Sequence, residues 1–170
     1  VRKRMTGKVD LLLKGGRVMD PSVGLDAHKD VAFTDGKISA ILDSNSPVDA
    51  KEVQDVSGCI VCPGLIDLHT HVYWGATGLG VNAEDIAGRS ATTTFIDAGS
   101  AGAGNFGGLK HFIADKTDLR ILGFINISFA GICGFSKKKA NLFPECEDIR
   151  LLDTDECLEA IEKYLSLIHI

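Results

Sequence analysis

Nowhere in this chain of 170 residues does an apolar run approach the roughly 20 residues that a membrane-spanning helix requires. Nor is a secretory signal expected. Val1-Arg2-Lys3-Arg4-Met5 is basic, but no apolar stretch follows it, so Met5 reads as the natural start and the residues before it as carried over from upstream translation. The expected location is the cytoplasm, with no membrane partner. An excess of positive charge is also absent: 18 Lys and Arg face 23 Asp and Glu, a formal net charge of −5. That balance argues against nucleic acid as a partner. The five cysteines are odd in number and irregularly spaced, which excludes a secreted disulfide framework. Cys59-Ile60-Val61-Cys62 lacks a second C-x-x-C and lies in an apolar strand, so core packing is expected there rather than zinc or redox chemistry.

What remains is an ordinary soluble composition, 45% apolar and 24% charged, long enough for a core. It is organised around Gly64-Leu65-Ile66-Asp67-Leu68-His69-Thr70-His71. The alternation of a strand puts Leu65, Asp67, His69 and His71 on one face and Ile66, Leu68 and Thr70 on the other. Both imidazoles then leave the strand end on one side, with Cα atoms on the order of 7 Å apart. From there two nitrogens can close on one cation, with zinc–nitrogen bonds of about 2.0–2.1 Å. A helix would send residues i and i+2 to divergent faces, so the strand and the metal support each other. A lone His-x-His is a weak motif, often a pair of neighbours on a surface strand. Here the preceding apolar run, the Pro63-Gly64 turn and Asp67 favour a metal site.

Before this stretch the chain reads as short strands. Residues 9–13 lead to a turn at Gly15-Gly16, after which residues 17–20 resume an extended pattern before Pro21. Residues 30–33 and 37–42 flank Asp35-Gly36, the strongest two-residue hairpin signal. Residues 53–56 and 59–62 complete a small β-sandwich segment, with His28 in one of its loops. After His71 the texture changes. Gly75, Gly78 and Gly80 mark a loop, of the kind that builds sites at the carboxyl end of a barrel strand, with Tyr73 and Trp74 as wall or packing residues. Asn82 caps a helix through Ser90; residues 91–97 form a strand, 106–114 a helix, and 119–127 a strand buried on both faces. A long loop over 128–152 carries Lys137-Lys138-Lys139 and Glu145-Cys146-Glu147-Asp148 as solvated charge. Thr154 then caps a last helix over 155–164, with Leu158, Ile161 and Leu165 on one stripe. Strand and helix alternate in the βαβ rhythm of a parallel sheet.

Cys62-Pro63-Gly64-Leu65-Ile66-Asp67-Leu68-His69-Thr70-His71 resembles the first barrel strand of the amidohydrolase superfamily, which includes dihydroorotases, hydantoinases and N-acyl amino acid deacetylases. The continuation through Val72-Tyr73-Trp74-Gly75-Ala76-Thr77 and the stretch from Asp97 to Asn105 resemble its dihydroorotase-like amidohydrolase/deacetylase branch, some of whose members cleave acetyl esters of hydroxy acids. The resemblance runs over about residues 10–164. It implies an α/β fold: the N-terminal part of the (β/α)8, or TIM, barrel of a metal-dependent hydrolase, preceded by the β-sandwich segment. Residues 1–62 would be that segment, its partner strands supplied from beyond the barrel, and its bare edges prone to aggregation. Residues 63–170 would be the first three βα units. A full barrel takes about 250 residues, so the barrel is expected to be incomplete and the chain to be an N-terminal fragment. The closing Leu165-Ser166-Leu167-Ile168-His169-Ile170 departs from the family pattern, as adapter read-through or a truncated transcript would explain.

The function so implied is cleavage of an amide or ester, of deacetylase or cyclic-amidase type, by water activated on one or two divalent ions, zinc first. The resemblance implies His69 and His71 as metal ligands. It places the other groups, a carboxylated lysine, two further histidines and a proton-handling aspartate, on later strands, so no catalytic residue is assigned within this chain. The chain by itself is expected to be inactive, since catalytic zinc takes at least three protein ligands. Asp97 and Asn126 end the second and third barrel strands and could orient ligands or touch substrate, with capping and loop hydrogen bonds as the equal alternative. The expected partner is a small-molecule substrate, and the full-length enzyme could be a homo-oligomer.

Two other classes compete. A non-catalytic, dihydropyrimidinase-like scaffold would keep the fold and lose the ligands, against which His69 and His71 argue. Gly102, Gly104 and Gly107 spell G-x-G-x-x-G after a strand and at a helix start, the setting of a nicotinamide-dependent oxidoreductase. That site also wants a carboxylate ending the next strand. Phe124-Ile125-Asn126-Ile127-Ser128 has none.

Overall fold

The computed structural model describes residues 8–132 and 148–164, and the chain divides into two compact units, Val1–Pro63 and Gly64–Ile170. In the first unit, β1 (Val9–Asp20), β2 (Leu25–Thr34), β3 (Lys37–Asp43), β4 (Ala50–Asp55) and β5 (Ile60–Val61) make one five-stranded sheet. Its order is β3-β2-β1-β4, with β5 also on β1; the β1–β2 and β2–β3 pairs are antiparallel, and β4 and β5 run parallel to β1. The Asp35-Gly36 hairpin forms as expected. Both residues take positive φ, 52° and 70°, as a tight two-residue turn matched to the strand twist demands. A core of Val9, Leu12 and Ala32 is covered by Ala40, Leu42, Val48 and Ala50.

Three expectations for this unit need correction. Gly15-Gly16 does not turn the chain: β1 runs straight through it as a bulge, the register slipping between Leu13 and Gly16. Gly15 absorbs the kink at φ 83°, and its N–H is donated to buried Asp30 Oδ1 at 2.9 Å. Asp30 Oδ2 takes the Asn45 N–H at 3.1 Å, so one carboxylate stitches the bulge to the loop after β3. Cys59 and Cys62 are exposed rather than packed, because β5 is only two residues long and Ile60 itself is 61% exposed. His28 lies within β2, not in a loop.

The second unit alternates strand and helix: β6 (Leu65–Thr70), α1 (Ala83–Ser90), β7 (Thr92–Gly102), α2 (Phe106–Phe112), β8 (Arg120–Asn126) and α3 (Thr154–Tyr164). The sheet order is β6-β7-β8, all parallel, as in the first three βα units of a TIM barrel. Asn82 caps α1, its Oδ1 accepting the Glu84 N–H at 3.2 Å, while Glu84 and Asp85 face the positive end of the helix dipole and Arg89 the other end. Val72, Ala83, Phe95 and Ile121 form one core cluster; Ala101, Phe106, Leu109, Ala160 and Tyr164 form another. Full burial of Phe95 stabilises by about 1.5–3 kcal/mol.

The helix α3 is phased differently from the expected stripe. Cys157, Ala160 and Tyr164 are its buried face, Leu158 is exposed, and Leu165 lies outside the described residues. Tyr164 sets the phase by packing on Phe106, ring centroids 5.4 Å apart. The cap is Asp153, whose Oδ1 accepts the Glu156 N–H at 3.0 Å, and Thr154 is already helical. Of the expected 128–152 loop, residues 133–147, which carry the lysine run and Glu145-Cys146-Glu147, lie outside the described residues. Its two ends are pinned together by a Ser128–Leu152 bridge and a Phe129 N–H to Leu151 carbonyl bond of 2.7 Å. Among the described residues no helix is long and apolar enough to cross a membrane.

Candidate metal centre

His69 lies near the end of β6, and His71 is the first residue past it. Their ring centroids are 5.7 Å apart, with the planes at 87°. Their i, i+2 spacing brings the rings close, but strict alternation does not aim them. The β6–β7 register slips between Asp67 and Thr70, where three steps on β6 match two on β7. Such a bulge bends the strand and re-aims side chains at the rim of a sheet. Asp67 tightens it by accepting the His69 N–H on Oδ1 at 3.1 Å.

His71 is held by a group the sequence did not single out. Its Nδ1 lies 2.9 Å from Oγ of Ser100, a fully buried residue on β7. Ser100 is in turn fixed by Asp97, also fully buried, whose Oδ1 accepts the Ser100 N–H at 2.7 Å and whose Oδ2 accepts the Val72 N–H at 2.8 Å. Both oxygens of Asp97 are therefore engaged with backbone, tying the end of β6 to β7. This local geometry depends on β7 running on to Gly102, beyond its expected end at residue 97, through a shift between Ala98 and Gly102 with Gly99 at φ 86°. Asn126 secures that shift from β8. Its Nδ2 donates to the Gly99 carbonyl at 3.0 Å and its Oδ1 accepts the Ser128 N–H at 2.9 Å. Asp97 and Asn126 thus hold backbone in place around the histidine pair.

Two imidazoles suit zinc and other borderline divalent ions. With Nδ1 of His71 against Ser100, Nε2 is its open donor, and the His69 ring makes no hydrogen bond among the described residues. The pair fits two ligand positions. Among the described residues no group of three or more His, Cys, Asp or Glu comes together to complete a cage.

Neighbouring features do other work. Tyr73 packs on the Phe106–Tyr164 cluster and donates its hydroxyl to the Asn105 carbonyl at 3.2 Å, and burial pushes its phenol pKa up. Trp74, 54% exposed, helps line an open cleft of about 220 Å³ with Asn82, Glu84, Phe112 and Lys116, and neither histidine reaches it. His111 pairs with Asp115 at 3.3 Å. His169 lies outside the described residues. The G-x-G-x-x-G turn is closed by its own chain: the Gly102 N–H goes to Asn105 Oδ1 and the Gly104 N–H to the Phe129 carbonyl, both at 2.9 Å. A Cβ on Gly104 would collide with the Phe129 ring, and one on Gly107 would sit 2.8 Å from the Tyr164 hydroxyl. A dinucleotide needs those N–H groups free for its pyrophosphate, so the oxidoreductase reading fails on this geometry.

No family model matches the chain. A deacetylase of Brucella anthropi is 37% identical over 136 residues, which cover 79% of this chain and 32% of that protein. A deacetylase of Agrobacterium fabrum is 34% identical over 126 residues, 74% of this chain and 30% of that protein. A solved dihydroorotase superposes with a TM-score of 0.79 at 28% identity, covering 93% of this chain and 40% of that one. The chain spans about a third of the length of the curated relatives it matches. On these likenesses, and on its three parallel strands, the chain matches the N-terminal portion of amidohydrolase-superfamily enzymes.

Proposed function

We propose that His69 and His71 are two ligands of a divalent-metal centre, zinc first, in a hydrolase that cleaves an amide or an ester of a small molecule. The observation that carries this is the pairing of the two rings at 5.7 Å on the carboxyl end of the first strand of the parallel sheet. That is the end at which barrel enzymes assemble their chemistry. A divalent ion held there would lower the pKa of water toward neutrality and polarise a scissile carbonyl. The protein's own part is to fix the donors. Asp67 shapes the bulge that presents His69, and Asp97 pins Val72, the residue after His71, to β7. The names of the relatives, deacetylase and dihydroorotase, favour an acetyl amide, an acetyl ester or a cyclic amide as the bond cleaved.

Zinc titration of the protein tests the ligand assignment. Zinc bound by the wild type and lost in both His69→Ala and His71→Ala supports it, and binding indifferent to both substitutions refutes it. Turnover is assayed separately, on acetylated hydroxy acids, acetylated amino acids and cyclic amides. Among the described residues no third ligand joins the pair, short of the three a catalytic zinc takes, so the 170-residue chain by itself is expected to show no metal-dependent hydrolysis.

A further inference from the structure

We propose that Ser100 is a positioning residue that makes Nε2 the metal-facing nitrogen of His71. The inference rests on the metal reading of the histidine pair and adds to it a residue that decides how one ligand is presented. The two nitrogens of an imidazole are not equivalent. The one that meets a cation is set by the hydrogen bond the other makes. Here the other is Nδ1, 2.9 Å from the Ser100 hydroxyl.

The hydroxyl is itself held. Ser100 is fully buried, its N–H is donated to Asp97 Oδ1 at 2.7 Å, and its carbonyl accepts the Ile132 N–H at 3.0 Å. The same Asp97 carboxylate accepts the Val72 N–H at 2.8 Å. One buried group therefore sets the spacing between the backbone next to His71 and the serine that orients its ring. A hydroxyl is suited to this place because it both donates and accepts. While Nε2 carries the proton, the Ser100 O–H donates to Nδ1. In the tautomer whose Nε2 lone pair could meet a cation, the ring's proton would have moved from Nε2 to Nδ1, and Nδ1–H would donate to Oγ. The ring loses one proton and gains one, and the contact holds it in the same orientation throughout.

The test is zinc titration of the 15N-labelled protein, reading the ring nitrogens of His69 and His71 by long-range proton–nitrogen NMR. In the wild type, zinc is expected on Nε2 of His71, with Nδ1 protonated. Ser100→Ala is expected to keep its fold, to weaken zinc binding by about 10–100-fold, and to let zinc reach either nitrogen of His71. Ser100→Thr, which keeps the hydroxyl, restores both the affinity and the Nε2 signature. Zinc on Nδ1 of His71 in the wild type overturns the inference without recourse to any variant. So does a Ser100→Ala protein that binds zinc within about twofold of the wild type through the same nitrogen. If zinc shifts neither histidine in the wild type, the metal reading itself falls, an outcome distinct from the failure of Ser100 alone.

Discussion

Removing the Asp97 side chain tests how the site is held. Asp97 is fully buried and accepts two backbone N–H groups, from Val72 and Ser100, at 2.8 and 2.7 Å. Each N–H left buried without a partner costs about 1–3 kcal/mol, so Asp97→Ala is expected to destabilise the chain by about 2–6 kcal/mol. Asp97→Asn keeps one acceptor and turns an NH2 toward the other N–H. Its cost is expected to be about half as large, on the same basis. Against a typical domain stability of about 5–15 kcal/mol, the alanine variant approaches unfolding and the asparagine variant does not. Urea denaturation followed by circular dichroism measures both. Because Asp97 also fixes Ser100, the effects of Asp97→Asn and Ser100→Ala on zinc affinity should be non-additive. An Asp97→Ala protein within about 0.5 kcal/mol of the wild type, the range of an ordinary surface substitution, would refute the reasoning.

Other expectations follow from single contacts. Gly102→Ala would push a Cβ into the Ser128 carbonyl, the Phe129 carbonyl at 2.7 Å and the Gly131 nitrogen at 2.8 Å. Overpacking of that kind costs about 1–3 kcal/mol, and a neutral Gly102→Ala in urea melts would contradict the close approach. Cys59 and Cys62 are exposed, whereas burial raises the Cys157 thiol pKa, so peptide mapping after brief thiol labelling should find Cys157 the slowest of the three. Equal labelling would place α3 elsewhere. Hydrogen bonds from the Arg150 side chain and backbone hold the Asp148 carboxyl at about 2, below its ordinary 3.8. The stability from that pair is therefore present above about pH 4 and lost as pH falls through about 2, and it is small because both groups are exposed. Carbon-detected NMR should follow the midpoint upward in Arg150→Ala, and an unmoved midpoint would contradict the pairing.

The parts of the fold that were legible in the sequence are those written in neighbouring residues. Asp35-Gly36 supplies the two positive φ values of its turn, and Asn82 caps α1 within its own first turn. The parts that were not legible depend on partners distant in sequence. Gly15-Gly16 looks like a turn until Asp30, fifteen residues on, accepts the Gly15 N–H and lets β1 continue. The stripe of α3 is phased by Tyr164 against Phe106, and neither residue announces the other. In the site, the proximity of His69 and His71 follows from their spacing, but the bulge between Asp67 and Thr70 that aims them does not. Ser100 meets His71 across 29 residues of chain because β7 overruns its expected end, and a serine among glycines and alanines carries no signal of that contact.

The central claim is that His69 and His71 share one cation. X-ray absorption at the zinc edge of the zinc-loaded protein tests it most directly, with the wild type compared against His69→Ala and His71→Ala. The account predicts two imidazole nitrogens at about 2.0–2.1 Å in the wild type, and loss of bound zinc or of one imidazole in each variant. A wild type that holds no zinc, or variants whose zinc environment matches that of the wild type, would contradict it.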